Sequence, residues 1–468
     1  MAKKIILIFL FFSVCILRVQ AAEAVAQAQK FADLEPIKKD DRVLIMAPHP
    51  DDEAIGCAGV IQQALAKGAK VRIVYLTNGE HNQLAFIVYE KRLTFRKGEF
   101  IHMGEVRRKE AIEAMKLLGL NENDLIFLGY PDFGTFAMFG RYWGSKKPFK
   151  DLLTRISSVP YKDNFSFGAP YLPENILNDL KKVLLDYKPT KIFISHPSDV
   201  NVDHKTFYLF LQVALADLDK EIPRPKIYPY LIHRLGWPLP RHYHPELSLE
   251  PPVQFLDKQI NWMKFPLTKE QLDKKYKTIL CYRSQTQSSA FYLLSFARKS
   301  ELFGDYSDIE LAPQMSLKEK AVQFFGFSDM YEDQNTGVLG KIENHIQDKE
   351  QISYAVIDDS LLIRIRKEKE FNRRFSLYLY IFGYSYQSPF SSMPKIRIIT
   401  KYKSFKVFGG RKMIKPEGAS LSLEPNSLIL RLPLKVLGDP EFILVSVRAY
   451  NRGTLPVESS GFRKIVVE

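Results

Sequence analysis

Short apolar runs alternate with helical patterns along the first half of this 468-residue chain, and this alternation constrains the fold more than any other feature. Apolar runs of the kind that form buried parallel strands occur at residues 42–47, 70–76, 124–128 and 191–195. Amphipathic helical patterns follow at residues 53–67, 106–118, 173–187 and 205–218. Strands that alternate with helices predict α/β architecture: a mostly parallel sheet built from βαβ units, with right-handed crossovers and helices on both faces.

Two long segments interrupt this alternation, at residues 82–104 and 133–174. Both are rich in aromatic residues and show little clear periodicity. Long connections inside a compact domain often form the walls of a functional site. We expect these two segments to border the site and to carry small helices of their own.

The pattern changes after about residue 297. Residues 300–349 are polar and mixed, and they are predicted to be a linker with one short helix at 317–325. From residue 350 to residue 468 the helical pattern gives way to short alternating strands, which predict an accessory β-sandwich domain. In one of these strands Leu377 and Leu379 lie opposite Tyr378 and Tyr380, and we expect the leucines to face the core.

The N-terminus carries a targeting pattern. A basic start is followed by an apolar run over residues 5–17 and by the small-residue sequence Val19-Gln20-Ala21, so residues 1–22 are predicted to be a signal peptide. The first domain of the mature chain is then predicted to cover residues 23–299. We expect an exported protein, periplasmic or secreted, with an uncleaved membrane anchor as the alternative. No later stretch is long and apolar enough to predict a transmembrane segment in the mature chain.

Charge and cysteine content exclude several classes of protein. The 67 Lys and Arg outnumber the 53 Asp and Glu, which gives a formal net charge of +14. No nucleic-acid-binding motif accompanies this charge, so we predict no nucleic-acid partner, and anionic surfaces or polymers fit the charge as well. Only 3 Cys are present, too few for a disulfide framework or a Cys-rich zinc module.

Ionisable side chains cluster where the first predicted strand ends, in His49-Pro50-Asp51-Asp52-Glu53. A second cluster follows the strand at 191–195 and includes His196, Asp203 and His204. Ligands of open α/β sheets bind outside the carboxyl ends of the strands, so both clusters are expected at one edge of the sheet.

Two histidines and one carboxylate form a metal-binding triad with open coordination positions. We predict His49, Asp52 and His204 as the ligands, with His196 as the rival second histidine. Asp203 is predicted to orient a ligand from behind it. Imidazole and carboxylate donors suit Zn²⁺, and the same triad also serves Fe²⁺. Asp51 adjoins a ligand without being one, so it is the predicted general base of a metal-assisted hydrolysis of an amide or ester.

These motifs resemble those of the PIG-L/LmbE-like zinc-dependent de-N-acetylases. Further similar segments follow the later strands or open a helix: Thr77-Asn78-Gly79-Glu80, Arg107-Arg108-Lys109-Glu110 and Leu128-Gly129-Tyr130-Pro131-Asp132. The resemblance covers roughly residues 41–284. It implies a Rossmann-like fold and hydrolysis of the N-acetyl group of an N-acetylglucosamine-type sugar or glycoconjugate. It also implies the ligand set His49, Asp52 and His204, Asp51 as base, and sugar-hydroxyl contacts by Arg107 and Asp132.

The chain departs from the family pattern at Asn201, where members often have a histidine that acts as acid or stabilises the oxyanion. An amide donates a hydrogen bond but cannot deliver a proton. The proton for the leaving amine is therefore assigned to Asp51 or to a histidine from elsewhere, and the candidates are His233, His242 and His244.

Two other functions compete with the de-N-acetylase interpretation. One is a carbohydrate- or envelope-binding protein that uses the same domain only as a scaffold. The other is a hydrolase of a non-sugar amide or ester at the same metal site. The sequence leaves the specific substrate and the oligomeric state open.

Overall fold

The computed structural model of this protein describes residues 31–82, 87–88, 97–256, 260–311, 330–332, 339–341, 352–367, 370–451 and 458–467. The predicted signal peptide and the predicted helix at 317–325 lie outside these residues. Among the residues that the structure describes, we find no helix with the length and hydropathy needed to cross a membrane.

The first sheet has eight strands in the order β1-β7-β8-β6-β5-β2-β3-β4. The five neighbours from β6 to β4 are all parallel, whereas β8 pairs antiparallel with β6 and β7. This is the predicted α/β sheet with a mixed edge. Its strands are β1 (Ala32–Asp33), β2 (Arg42–Ala47), β3 (Lys70–Thr77), β4 (Leu125–Tyr130), β5 (Lys191–Ser195), β6 (Lys226–Tyr230), β7 (Ile260–Pro266) and β8 (Ser300–Tyr306).

Helices cover both faces of this sheet. Alternate residues of β2 belong to different apolar cores: Val43 and Ile45 pack with α1, α2 and α6, whereas Leu44 and Met46 pack with α3, α4 and α5. The helices are α1 (Asp52–Ala66), α2 (Lys97–Leu118), α3 (Thr135–Arg141), α4 (Pro173–Tyr187), α5 (Val202–Asp217), α6 (Lys269–Leu280) and α7 (Arg283–Leu293).

Most of the described strands from residue 309 onwards form two further antiparallel-rich sheets. The first has the order β12-β13-β19-β18, and the second has the path β17-β16-β15-β14-β20-β22-β9, with β21 paired to β20. A separate short hairpin consists of β10 and β11. The strands are β9 (Ile309–Glu310), β10 (Met330–Glu332), β11 (Leu339–Lys341), β12 (Ile352–Ile357), β13 (Ser360–Arg366), β14 (Phe375–Tyr384), β15 (Lys395–Lys401), β16 (Ser404–Gly409), β17 (Lys412–Ile414), β18 (Ser420–Leu423), β19 (Ser427–Pro433), β20 (Phe442–Asn451), β21 (Glu458–Ser459) and β22 (Arg463–Val466).

One apolar core fills the space between these two sheets, as in a β-sandwich. Leu377 and Leu379 of β14 lie in this core with at most 1% of their surface exposed, so the expectation that the leucines face inward is confirmed. The larger sheet therefore has its other face available for a different contact.

That other face packs directly against the first domain. Phe382 of β14 contacts Phe139 of α3, with ring centroids 5.1 Å apart. The Tyr384 hydroxyl donates to Asp217 Oδ1 at the end of α5, at 2.9 Å. A single apolar cluster thus joins side chains of the α/β domain and of the sandwich.

Candidate metal centre

Two loops at the same edge of the first sheet carry the ionisable residues. One joins β2 to α1 and the other joins β5 to α5. Because β2 and β5 are adjacent and parallel, both loops leave the sheet at its carboxyl edge. The β2–α1 loop turns sharply at Asp51, whose φ of 117° lies in the left-handed region. Glu53 fixes this turn by accepting a hydrogen bond from the Asp51 N–H, at 3.1 Å.

The three predicted ligands meet at one point. Asp52 Oδ2 lies 3.2 Å from His49 Nδ1 and 3.1 Å from His204 Nε2. One donor atom from each of these residues, together with one from His233, lies within 4.8 Å of all the others. His49, Asp52 and His204 are 6%, 1% and 0% exposed, so their donor atoms are withdrawn from bulk water.

The chemistry of this donor set fits a divalent transition metal. Both ring nitrogens of His204 are buried without a hydrogen-bond partner, although carboxylate oxygens lie within 3.2 Å of each. Buried polar atoms normally have a hydrogen-bond partner. A ring nitrogen that lies near a carboxylate oxygen, but is not aligned for a hydrogen bond with it, can instead coordinate a cation together with that oxygen. Two imidazoles and one carboxylate are one of the ligand sets found in catalytic zinc sites.

A pair of carboxylates lies behind His49. Its Nε2 is 3.1 Å from Asp132 Oδ1 and 3.5 Å from Asp203 Oδ2, on the side of the ring away from Asp52. Asp203 is fixed in turn, since it accepts hydrogen bonds from the Phe133 N–H at 2.7 Å and from the Thr135 hydroxyl. A carboxylate behind a ligating histidine sets its tautomer and orientation. Asp203 thus lies behind His49, and its role in orienting a ligand stays a prediction.

Asp199 plays the same part behind His204, and the sequence analysis assigned it no role. Its Oδ2 lies 3.2 Å from His204 Nδ1 and also accepts from the backbone N–H groups of Ile232 and His233, at 3.1 and 2.8 Å. The signal was present in the sequence, because Asp199 stands in the loop just before the helix that carries His204, and a metal-bound histidine needs a partner for its second nitrogen.

Arg107 holds Asp51 from a distant helix. Its Nη2 lies 3.2 Å from Asp51 Oδ1 and also donates to the Pro50 carbonyl, while its Nη1 donates to the Gly79 carbonyl at 2.7 Å. Burial raises the pKa of Asp51 to about 7, against the opposing charge of Arg107. A carboxyl with a pKa near neutrality beside a metal centre has the character of a general base.

The charges of the two histidines act on Asp52 in the opposite direction. Burial favours the neutral acid, but His204 and His49 outweigh it and hold the pKa of Asp52 well below its usual range. Two neighbouring aspartates thus differ in protonation: Asp52 stays an anion suited to binding a cation, and Asp51 is free to exchange a proton near neutral pH.

His233 is the candidate histidine that the fold brings to the centre. Its ring centroid is 4.7 Å from that of His204, and burial lowers its pKa to about 4, which keeps it neutral at pH 7. His244 instead lies beside Glu246 and the Arg241 carbonyl, and His242 lies against Phe291. Neither belongs to a potential ligand group among the described residues.

Four other predicted residues are placed as follows. Asn201 caps α5, and its side chain accepts the Asp203 N–H at 2.9 Å. His196 accepts the Ser198 N–H on Nδ1 at 3.0 Å and stacks on Trp262, away from the three ligands. The last two, which the resemblance implies as sugar contacts, are 4% and 2% exposed: Arg107 and Asp132.

Comparison with known proteins finds similarity to deacetylases. Residues 44–215 match the sequence profile described as PIG-L: GlcNAc-PI de-N-acetylase. A 1D-myo-inositol 2-acetamido-2-deoxy-alpha-D-glucopyranoside deacetylase from Nocardioides sp. (strain ATCC BAA-499 / JS614) is 33% identical over 104 residues, which are 22% of this chain and 32% of that relative. The chain thus aligns with about a third of the length of this curated relative.

Two solved structures show lower similarity. The N,N'-diacetylchitobiose deacetylase from Pyrococcus horikoshii has a TM-score of 0.33 and 19% identity, covering 56% of this chain and 82% of the other. The 4-carboxy-2-hydroxymuconate hydratase GalB from Pseudomonas putida KT2440 has a TM-score of 0.34 and 15% identity, covering 66% and 99%. The residues that match the family profile include His49, Asp52 and His204, and over this segment the chain is similar to the PIG-L/LmbE-like de-N-acetylases.

Proposed function

We propose that this protein is a zinc-dependent N-deacetylase that hydrolyses the N-acetyl group of an N-acetylglucosamine-type sugar or glycoconjugate. The observation that carries the proposal is the convergence of His49, Asp52 and His204, with the non-ligating carboxyl of Asp51 beside them. The match to the family profile supports the reaction type.

His49, Asp52 and His204 would hold the metal ion. When bound, Zn²⁺ supplies Lewis-acid chemistry: it polarises the acetyl carbonyl and makes a nearby water more acidic. Asp132, Asp203 and Asp199 keep the two imidazoles oriented, so that the donor atoms face the ion without rearrangement.

Asp51 accepts the proton of the attacking water in this proposal. Arg107 and the left-handed turn at Asp51 fix the direction of the carboxyl group. Its pKa of about 7 favours proton uptake and release at neutral pH, so Asp51 can pass the same proton to the departing amine.

His233, whose ring lies beside that of His204, is the residue to which this proposal assigns the developing oxyanion. As a neutral imidazole it can donate one hydrogen bond to that oxygen. In this way His233 takes over the oxyanion contact that a histidine at the position of Asn201 makes in other members, while Asn201 caps α5.

Metal analysis of single-residue variants tests the proposal. His49→Ala and His204→Ala should each remove bound zinc and the release of acetate from N-acetyl sugars. His244→Ala is the matched control, because this histidine is exposed to solvent and contacts Glu246 instead. Loss of zinc from the control, or full zinc occupancy in both ligand variants, would contradict the assignment.

A further inference from the structure

The face of the larger sandwich sheet that is turned away from the sandwich core presents aromatic rings and arginines side by side, next to the part of it that packs against the α/β domain. Tyr380 of β14 is the register partner of Arg397 on β15, and Tyr378 is the partner of Arg448 on β20. Directly opposed residues point to the same side of a sheet, so these four side chains share one face. This face is opposite to the one that Leu377 and the other core residues occupy.

Rings and guanidinium groups stack along this face and on the adjoining helix α3. The Arg448 guanidinium lies 5.0 Å from the ring centroids of both Tyr380 and Phe136. The remaining contacts in the series join Arg397 to Phe408 at 4.6 Å, Arg411 to Tyr142 at 3.9 Å, and Tyr378 to Tyr450 at 4.7 Å. We call this set the arginine–tyrosine strip: Phe136, Tyr142, Tyr378, Tyr380, Arg397, Phe408, Arg411, Arg448 and Tyr450.

The arginines of the strip have donors to spare. Nε of Arg397 and both Nε and Nη2 of Arg448 are buried without a hydrogen-bond partner. Across the described part of the chain, no ion pair joins Arg397, Arg411 or Arg448 to a carboxylate. Burial and the nearby charge of Arg141 lower the pKa of Arg397, so like charges are held together here. A half-buried charge without a counterion is partly desolvated, and an anion would offset that cost for Arg397 and Arg448.

The strip adjoins the metal centre. Phe136 lies in the first turn of α3, directly after Thr135. The Thr135 hydroxyl donates to Asp203, and Asp203 lies 3.5 Å from His49. A chain molecule lying along the strip would therefore approach the wall of the candidate site.

We propose that the arginine–tyrosine strip binds an acidic glycan, a saccharide chain that carries carboxylate or phosphate groups. Half-buried aromatic rings offer flat faces for sugar rings, and arginine forks match carboxylate and phosphate oxygens. The choice of a glycan over another polyanion rests on the proposed function, since the neighbouring centre is assigned to an amino sugar. A single-stranded nucleic acid would use the same side-chain types and is the alternative that the experiment excludes.

Direct binding to the zinc-loaded full chain tests this proposal without any need for turnover. Three probes are compared by calorimetry at fixed salt: a hyaluronate oligosaccharide, which carries glucuronate carboxylates, a neutral chitin oligosaccharide of equal length, and oligo-dT. The variant Arg397→Gln/Arg448→Gln removes two charges from the strip. Lys220→Gln/Arg224→Gln removes two charges from exposed positions outside it and serves as the control.

Hyaluronate should bind to the unsubstituted chain. Arg397→Gln/Arg448→Gln should raise the Kd for hyaluronate by about tenfold or more, which is the effect of losing one charge-assisted hydrogen bond. The control should change Kd by less than about threefold, and Tyr378→Ala should also weaken binding if the double variant does not fold. Equal effects of both double variants, no binding of hyaluronate, or tighter binding of oligo-dT would overturn the proposal. Binding that depends on the strip, in a protein that releases no acetate, would instead contradict the proposed function alone.

Discussion

Asp51 and Asp52 are adjacent in sequence but face different surroundings. Asp52 lies between two imidazoles, whereas Asp51 turns towards Arg107 because of its left-handed backbone. In the proposed function, this difference separates metal binding by Asp52 from proton transfer by Asp51. It also makes the two roles testable by single substitutions.

Asp51→Asn should keep bound zinc and lower kcat by roughly 10²–10⁴, the range for loss of a general acid–base group. The amide preserves the size of the side chain but cannot accept a proton. Steady-state kinetics with zinc analysis of the same sample gives both quantities. Parallel loss of zinc and activity would make Asp51 a ligand instead.

Asp199→Asn should weaken zinc binding by about 10–100-fold, the usual cost of removing a carboxylate behind a ligating histidine. In this variant, His204 is still present but loses the carboxylate that orients its Nδ1. Competition with a chelator measures the affinity. Asp186→Asn is the control, because the Asp186 side chain is 70% exposed and pairs with Arg72. Unchanged affinity in Asp199→Asn would show that His204 needs no such support.

At the residue scale, the sequence pattern is most informative where the interacting groups are close together in sequence. His49 and Asp52 stand three positions apart on one turn, and His204 follows a second strand of the same sheet, so their convergence could be anticipated from the pattern. The link from Arg107 to Asp51 could not, because it spans distant elements and depends on how α2 docks. The sequence analysis assigned no role to Asp199, although it lies within the second cluster, between His196 and His204.

Among the elements, α1 is anchored by a buried ion pair from other parts of the fold. Glu301 of β8 accepts the backbone N–H groups of Gly59 and Val60, at 2.7 and 3.1 Å, and pairs with Lys275 of α6 at 2.8 Å. Both side chains of the pair are fully buried. Because α1 begins at the metal centre, this anchor supports the site from its far side.

Lys275→Met should destabilise the protein by about 3–5 kcal/mol, since it leaves the Glu301 charge buried without its partner. Arg72→Met removes the exposed pair with Asp186 and should cost less than about 1 kcal/mol. Urea denaturation of both variants provides the comparison. Similar midpoints for the two would refute the role given to the buried pair.

Elements with strong periodicity were predicted with accurate ends. The helix at 173–187 and the strand at 191–195 have the predicted bounds. By contrast, α2 begins at Lys97, whereas the helical pattern predicted a start at residue 106. The first turns were missed because residues 97–105 contain two glycines and few apolar side chains at helical spacing. The short helix α3 lies in a segment without clear periodicity, where packing against the sandwich adds what the local sequence lacks.

At the scale of the whole molecule, the α/β domain and the sandwich share an apolar interface that composition could not reveal. For example, the ring of Phe139 contacts Phe382 and Phe390 of the sandwich and also Phe210 of α5. The sandwich is thus packed against two helices of the α/β domain. One of them, α5, carries His204.

A chain truncated after residue 349 should therefore aggregate or unfold at lower temperature than the full chain, because Phe139 and its neighbours would become exposed. Size-exclusion chromatography and thermal denaturation provide the test. A monodisperse truncated domain with the full-length unfolding temperature and a full complement of zinc would contradict this coupling.

Export of the chain is a further proposal, which rests on the pattern of residues 1–22. The mature protein should then begin near Ala22 or Glu23, and no fraction should retain Met1. Intact-mass measurement of protein purified from the producing cells decides between cleavage and an uncleaved anchor.

Acetate release by the metal-stripped and zinc-reconstituted full chain tests the central claim most directly. The substrates are N-acetylglucosamine and its short oligosaccharides, and the zinc content of each sample is determined in parallel. We predict no release after stripping and recovery of release as one equivalent of zinc is restored. Undiminished release by the metal-free chain, or no release from any of these sugars by the fully zinc-loaded chain, would contradict the account.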